Sequence, residues 1–327
     1  MAATMELYCW KGDWGLPSVN TECLTVLTYA KFAGAPLKVH KIANPWKSPT
    51  GSLPALKTKE EGCLSQPQQI IIHLRKQKYN ADYDLSAKEG ADTLAFVSLL
   101  EQKLLPALIY AQWVDSKNYV DVTRRWYAEN IPFPLNFYLP SRMHARQLER
   151  LRLVTGDSGL EPGEEIEKEL YRDALECMTL LSQRLGQHKF FFGDSPSSLD
   201  AYVFGHLAPL LKAKLPNSKL QQHLQSLDNL CQFCTSILQL YFPSEGSVDG
   251  PPRRAPSSPQ TPDGGDFDHE PHKRRKQVLS AFVALGAMLS YALLTGLLSV
   301  HRASPQGALL DARRHRLQEQ EGEEEED

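Results

Sequence analysis

The chain has 327 residues, 42% of them apolar, and a formal net charge of −3. That size supports one ordinary globular domain or two small ones, and the near balance of charge argues against a nucleic-acid partner. The basic cluster HKRRK at 272–276 and the acidic stretch EQEGEEEED at 319–327 lack the interleaved aromatics of a nucleic-acid-binding stripe.

The opening MAATMELYCWKGDWG has neither a basic n-region nor an apolar core, which argues against a secretory signal. It also lacks the Arg-rich amphipathic pattern of a matrix presequence. Synthesis in the cytosol is therefore expected. In that reducing setting Cys9, Cys23, Cys63, Cys177, Cys231 and Cys234, all within hydrophobic stretches, read as free buried thiols.

The first 80 residues carry a βαβ-then-ββα rhythm. Residues 6–10 predict a strand, and 17–33 predict a helix with Val19, Cys23, Val26, Leu27 and Ala30 on one face. Gly34 stops that helix, and LKVHKI at 37–42 alternates as a second strand. Leu53-Pro54 leads into a strand at 55–58. A hairpin at Glu61-Gly62 turns into 63–65, and Pro67 opens a helix through Lys76. Beyond Asp84 the pattern is helical. Ser86 and Glu89 form a capping box before a helix of about 20 residues. Pro132, Pro134 and Pro140 predict that 120–151 is broken into short pieces. Residues 164–185 read as an amphipathic helix with Ile166, Leu170, Ala174, Cys177 or Met178, Leu181 and Leu185 inward and Gly186 as its cap. Helices at 199–212 and 219–240 follow.

The stretch 243–270 is rich in Pro, Gly and Ser and reads as a flexible tether. From Gln277 to Val300 the run QVLSAFVALGAMLSYALLTGLLSV carries no charge. The helix from Val278 to Val300 would reach about 34 Å, enough for a hydrocarbon core of about 30 Å. It is apolar on every face and bracketed by Lys273–Lys276 and Arg302, so it predicts a membrane span; no other segment is expected to be long and apolar enough. The expected organisation is a domain at 4–80, an all-helical domain at 84–242, a linker at 243–272, a span at 277–300 and a tail at 301–327.

A small βαβ-ββα unit followed by helices resembles the glutathione-transferase fold. Gly51-Ser-Leu-Pro54-Ala-Leu is similar to the family's turn into its third strand, which implies a cis peptide at Pro54. The segment from Cys63 to Lys76 resembles the element that binds the γ-glutamyl end of glutathione. Gly193-Asp-Ser-Pro-Ser197-Ser-Leu-Asp200 is similar to the family's buried helix start, which implies structural roles for Ser197 and Asp200. The implied fold class is α+β/α, a thioredoxin-like N-terminal domain plus an all-helical C-terminal domain, followed by one transmembrane helix.

A longer resemblance rests on MELYCWKGDWGLPSV, PLKVHKIANPWKSPTGSLPALKT, RRWYAENIPFPLNFYLPSRM, KFFFGDSPSSLDAYVF and the C-terminal apolar run. Together they resemble the metaxin family, in particular its tail-anchored vertebrate members. The resemblance implies an outer-mitochondrial-membrane protein facing the cytosol, in the sorting and assembly machinery that inserts β-barrel proteins. The implied partners are a second, anchorless metaxin, the β-barrel insertase and the lipid bilayer. Lys273, Arg274, Arg275 and Lys276 then read as targeting residues, because moderately hydrophobic spans with basic flanks resemble mitochondrial outer-membrane tails.

Transferase chemistry is the rival reading. It needs a Tyr, Ser or Cys after the first strand to act on a bound thiol. Asn20 or a neighbour falls at that place. Cys9 reads as core and Ser18 as a cap on the first helix. An acid-then-serine pair should precede the Pro67 helix, but the chain has Leu64-Ser65; the serine can cap, and the carboxylate is missing. Cys231-x-x-Cys234 sits in a helical period and reads as packing. The histidines have no ligand spacing, and there is no P-loop or dinucleotide fingerprint, so no catalytic residue, cofactor or metal is expected. The expected function is a non-catalytic interaction subunit, with Trp10, Trp14, Trp46, Trp113 and Trp126 as either anchors or core. The alternatives are a cytosol-facing adaptor linking mitochondria to motors or other membranes, and a membrane-anchored glutathione-dependent transferase.

Overall fold

Strand β1 (Met5–Trp10) alternates Met5, Leu7 and Cys9 into the core with Glu6 and Tyr8 on the other face. In the computed structural model, which describes residues 5–58, 61–155 and 164–243, β1 is an inner strand of a four-stranded sheet. Its order is β2-β1-β3-β4, with β2 spanning Leu37–Ile42, β3 Ala55–Lys57 and β4 Cys63–Leu64. Strand β2 runs parallel to β1 with Leu7 opposite Val39; β3 is antiparallel with Leu7 opposite Leu56, and β4 continues antiparallel. The parallel step requires a crossover, and helix α1 (Thr21–Phe32) supplies it. Helix α2 (Pro67–Lys76) follows β4 with its proline at the first turn, as predicted. The proposed linker beyond Pro243, the span at 277–300, the tail and Lys273–Lys276 lie outside the described residues.

Helix α1 begins four residues later than its periodicity predicts. Asn20 is its N-cap and accepts from the backbone N–H of Cys23 at 2.9 Å, so Val19 stands outside the helix. Ser18 is not the cap; it is fully buried, with its Oγ 3.4 Å from the N–H of Asn20. The helix is also buried on more than one face, because α2 and α9 (Ser198–Lys212) both pack against it. Gly205 of α9 allows that approach: a Cβ there would stand 2.2 Å from Thr25 Oγ1 and 3.0 Å from the carbonyl oxygen of Thr21.

The Ser86–Glu89 capping box forms and starts α3 (Ala87–Leu99). The helix does not stop where expected. It passes through a π-helical stretch (Leu100–Leu104) into α4 (Leu105–Ile109) and a second such stretch (Tyr110–Val114). Pro106 has no N–H to give, and the widened turn before it absorbs the register break. The run Ala87–Val114 is long enough to cross a membrane and contains an 18-residue window with a mean hydropathy of 1.4, contrary to the expectation that only one segment would be long and apolar enough. Half of that window is buried inside the fold, where the run packs against α8 (Glu164–Leu185) and α9, so its apolar character belongs to the core.

After α5 (Ser116–Asn118), a π-helical stretch (Tyr119–Arg124) and α6 (Arg125–Asn130), the chain breaks at Pro132 and Pro134 as expected. Pro140 breaks nothing. It lies inside α7 (Leu135–Thr155), close enough to the helix start that it removes a single backbone bond, and it is buried beside Leu139. Helix α8 matches its predicted bounds, with Ala174, Cys177, Met178 and Leu181 buried and Gly186 at positive φ after its end. The predicted helix at 219–240 is two helices, α10 (Lys219–Gln225) and α11 (Asp228–Tyr241). Asn229 explains the break. Its amide donates to the carbonyls of Ser182 and Gly186 and accepts from Ser182 Oγ, pinning the start of α11 to the end of α8. One cluster of buried apolar side chains runs from Leu7 and Ile70 through Leu104 and Leu181 to Phe204 and Leu238.

Candidate functional site

A cleft of about 840 Å³ opens between the β1 exit, the turn before β3 and the α2 entry on one side and α4 and α7 on the other. This is where a transferase of the expected fold would work, so each predicted position can be read there. The Leu53-Pro54 peptide is cis, as the fold resemblance implies, and Leu53 lines the cleft.

At the β1 exit the side chains are committed to the scaffold. Cys9 is fully buried, and burial, followed by its contact with Cys23, pushes its thiol well above the ordinary range. A thiol so held is not a nucleophile. Tyr8 donates to Glu6 Oε2 at 2.9 Å and stacks on His40 at 4.7 Å, on the sheet face opposite Cys9. Asn20 does line the cleft, but its carboxamide oxygen serves as the α1 cap.

At the α2 entry the N-cap position is Gln66, with Pro67 following, and no side chain caps it. The expected capping role of Ser65 is therefore corrected: the helix starts one residue too late for it. Ser65, Gln66, Pro67 and Gln68 all line the cleft and none is acidic. Gln68 donates to Glu101 Oε1 at 3.4 Å. Glu22, in the first turn of α1, is paired with Arg150 of α7 at 2.8 Å. The two cleft carboxylates that face the α1 start and the α2 entry, Glu22 and Glu101, therefore already have partners, while Glu149 lines the cleft from α7.

Ser197 and Asp200 are not among the cleft residues. Asp200 is buried at the start of α9, where its carboxylate accepts from the N–H of Phe191 at 2.9 Å and from the N–H and Oγ of Ser197 at 2.8 and 2.6 Å. Burial pushes its carboxyl up to about 6, against the pull of those three donors. Of the six cysteines Cys63 is exposed, contrary to expectation, because it sits on the edge strand β4; Cys231 is half-buried and donates to the carbonyl of Leu224 at 3.2 Å. Cys234 is buried in α11. Among the described residues no group of three or more His, Cys, Asp or Glu is placed to hold a metal ion.

The tryptophans divide. Trp10, Trp113 and Trp126 are buried around Tyr127, with ring centroids 5.0 to 5.5 Å from it. Trp126 Nε1 donates to Asp13 Oδ2 at 2.6 Å, which ties the β1 exit loop to α6. Trp14 is half-buried beside Trp126, and Trp46 is 50% exposed at the cleft rim. Sequence reasoning missed Asp13, Tyr127 and the buried His206. The local motif RRWYAEN signals an aromatic pair, but nothing local signals its partner so far along the chain.

Comparison with known proteins follows the same lines. Residues 23–144 match a family described as "Outer mitochondrial membrane transport complex protein", and residues 174–237 match "Glutathione S-transferase, C-terminal domain". The chain is 62% identical to Metaxin-1 of Macaca fascicularis over 305 residues, 93% of this chain and 94% of that protein. It is 56% identical to Metaxin-3 of Xenopus laevis over 241 residues, 74% of this chain and 78% of that one. A solved glutathione S-transferase of Ceriporiopsis subvermispora superposes on 76% of this chain and 100% of its own, with a TM-score of 0.50 and 15% identity. At that identity the likeness concerns the fold alone.

Proposed function

The chain belongs to the metaxin family, and from that premise we propose that it is a non-catalytic subunit of the mitochondrial outer-membrane sorting and assembly machinery. Family membership supports a role in protein transport at that membrane. The finer reading is that the transferase-like fold supports β-barrel insertion through protein–protein contacts. Its partners would be a second, anchorless metaxin and the β-barrel insertase. In this reading residues 4–80 and 84–242 face the cytosol on a tether at 243–272, the segment 277–300 crosses the bilayer once, and Lys273–Lys276 direct it there.

The observation that carries the non-catalytic part is the state of the cleft. Asn20 holds the helix cap, Cys9 is a buried thiol, and Ser65 to Gln68 supply no carboxylate. A fold retained without its chemistry is suited to presenting surfaces. The test is purification of the tagged full chain from mild-detergent extracts of mitochondria, with mass spectrometry of what accompanies it. A second metaxin and the β-barrel insertase are expected, together with reduced β-barrel protein levels on depletion. Motor or tethering proteins without the insertase would replace this reading with the adaptor alternative.

A further inference from the structure

The floor of the cleft carries buried polar groups with nothing to bond. Trp10, Trp113, Tyr202 and His206 all line it, each no more than 9% exposed. His206 Nδ1 lies 2.7 Å from the carbonyl oxygen of Tyr202, so that nitrogen carries the proton and Nε2 keeps a free lone pair. Among the described residues Nε2, the two indole N–H groups and the Tyr202 hydroxyl have no hydrogen-bond partner, and none of them is sealed from solvent. On the walls the side chains of Gln112 and Gln147 are also unpartnered. The charges are uneven as well. Glu22 is paired with Arg150 and Glu101 accepts from Gln68, which leaves Arg142 and Arg146, one turn apart on α7, against the single carboxylate of Glu149.

A buried polar atom without a partner is costly, so a floor that holds several is suited to water or to an occupant that supplies partners. An acyl chain would leave all of them unmatched. A peptide main chain offers a donor and an acceptor at nearly every residue, and carboxamide side chains match it in kind. The rings of Trp14 and Trp46 at the cleft offer surface to apolar side chains. The excess of guanidinium groups selects for acid. We propose that the cleft seats an extended, acidic segment of a partner protein. Its main chain bonds the free groups of the floor with Gln112 and Gln147, and its carboxylates meet Arg142 and Arg146. The proposal rests on the reading of the chain as a non-catalytic interaction subunit and names the surface through which it acts. Glutathione, with three residues, is too short to meet these groups together, so a seat for a longer segment does not restore the transferase reading.

The test uses the full chain in detergent and the fluorescence anisotropy of short labelled peptides, capped at both ends, that alternate valine with glutamate or valine with lysine. Saturable binding of the acidic peptide is expected, roughly ten-fold or more tighter than that of the basic one at low salt, as one charge-assisted bond would give. Arg142→Glu with Arg146→Glu should invert the preference, whereas Lys88→Glu, exposed on α3 and outside the cleft, should not. Gln147→Ala should weaken binding several-fold. An acidic peptide N-methylated at alternate residues should lose most of its affinity, because those main-chain donors are gone. Absence of saturation, equal affinity for the two peptides, or indifference to N-methylation overturns the proposal. Displacement of the label by a long-chain fatty acid but not by unlabelled acidic peptide overturns it too and assigns the cleft to an acyl ligand. Co-purification from mitochondria reads the subunit role separately. Partners recovered with a chain that binds no peptide leave that role standing and strike the cleft, and absence of both strikes both.

Discussion

Asp82 Oδ1 accepts a hydrogen bond at 2.6 Å from the backbone N–H of Ser198, across the seam between the connecting segment and the start of α9. Arg75, at the end of α2, pairs with the other oxygen of Asp82 and donates to Ser198 Oγ at 3.1 Å. The same guanidinium lies over the ring of Tyr29, whose hydroxyl donates to the carbonyl of Tyr79 at 3.3 Å. One carboxylate therefore joins the sheet half to the helical half. Asp82→Ala leaves the Ser198 N–H and the guanidinium without their acceptor, and should cost about 2–4 kcal/mol. Asp82→Asn, which keeps one acceptor oxygen, should recover part of that. Urea unfolding of the detergent-solubilised chain checks both; an unchanged midpoint for the alanine variant would remove the clamp from the account.

Gly205→Ala should destabilise by about 3 kcal/mol, at the upper end of the overpacking range. The added Cβ meets Thr25 Oγ1 at 2.2 Å, which a rotamer change can relieve, and the Thr21 carbonyl at 3.0 Å, which belongs to the α1 backbone. Combining it with Thr25→Ala should therefore rescue only part of the loss. Full rescue, measured by thermal unfolding, would mean that the two backbones are not in contact.

Where the determinants are local, the sequence was legible. The Ser86–Glu89 box, Pro67 at a first helical turn, the α8 periodicity and the Ser197–Asp200 start all appear as read. The misses share a cause. Pro140 inside α7, the break before Asp228 and the long run through Pro106 are decided by partners distant in sequence, such as Asn229 with Ser182. In the cleft, the loss of a carboxylate at the α2 entry was visible as residue types. The use of Asn20 as a cap, the burial of Ser18 and the Asp13–Trp126 bond depend on backbone geometry that spacing does not carry.

Asp200 and His206 should titrate against each other. Burial raises the carboxyl of Asp200 from 3.8 to about 6, so its contribution is fully present below about 3.8 and is lost as pH rises through about 6. Burial lowers His206 from 6.5 to about 4, so its contribution is present above about 6.5 and is lost as pH falls through about 4. Each amounts to roughly 3 kcal/mol, and between these limits they nearly cancel. The pair alone should leave stability almost flat there. His206→Asn, which keeps a donor for the Tyr202 carbonyl bonded at 2.7 Å, should unmask the Asp200 term and fall in stability as pH rises. A variant whose pH profile parallels the parent would contradict this opposition.

Removal of residues 273–327 should release the protein from mitochondrial membranes as a folded, soluble chain. Ala87–Val114, the other stretch apolar and long enough to span, is half buried in the fold and cannot substitute without unfolding it. Carbonate extraction reads the outcome. A truncated form that resists carbonate would overturn the single-anchor reading, whereas one that washes off would be held by a partner.

The last prediction concerns thiol chemistry. The full chain in detergent should neither bind glutathione saturably at millimolar concentration nor conjugate it to an electrophile. Two physical reasons combine. The candidates at the β1 exit are committed elsewhere: Cys9 is buried with its thiol pushed up, Ser18 is buried, Asn20 is spent on the helix cap, and Thr25, which lines the cleft with Thr21, donates its hydroxyl to the Thr21 carbonyl. At the α2 entry, Ser65 to Gln68 offer no carboxylate to the ligand ammonium, while Glu22 is held by Arg150. Losing one charge-assisted contact costs about 1.5–3 kcal/mol, or roughly ten- to a hundred-fold in affinity. Restoring a carboxylate by Gln66→Glu should raise affinity without creating turnover, because the thiol would still lack its activator. Calorimetry showing tight binding by the unmodified chain, with turnover abolished by Cys9→Ala or Ser18→Ala, would favour the transferase alternative over a retained scaffold.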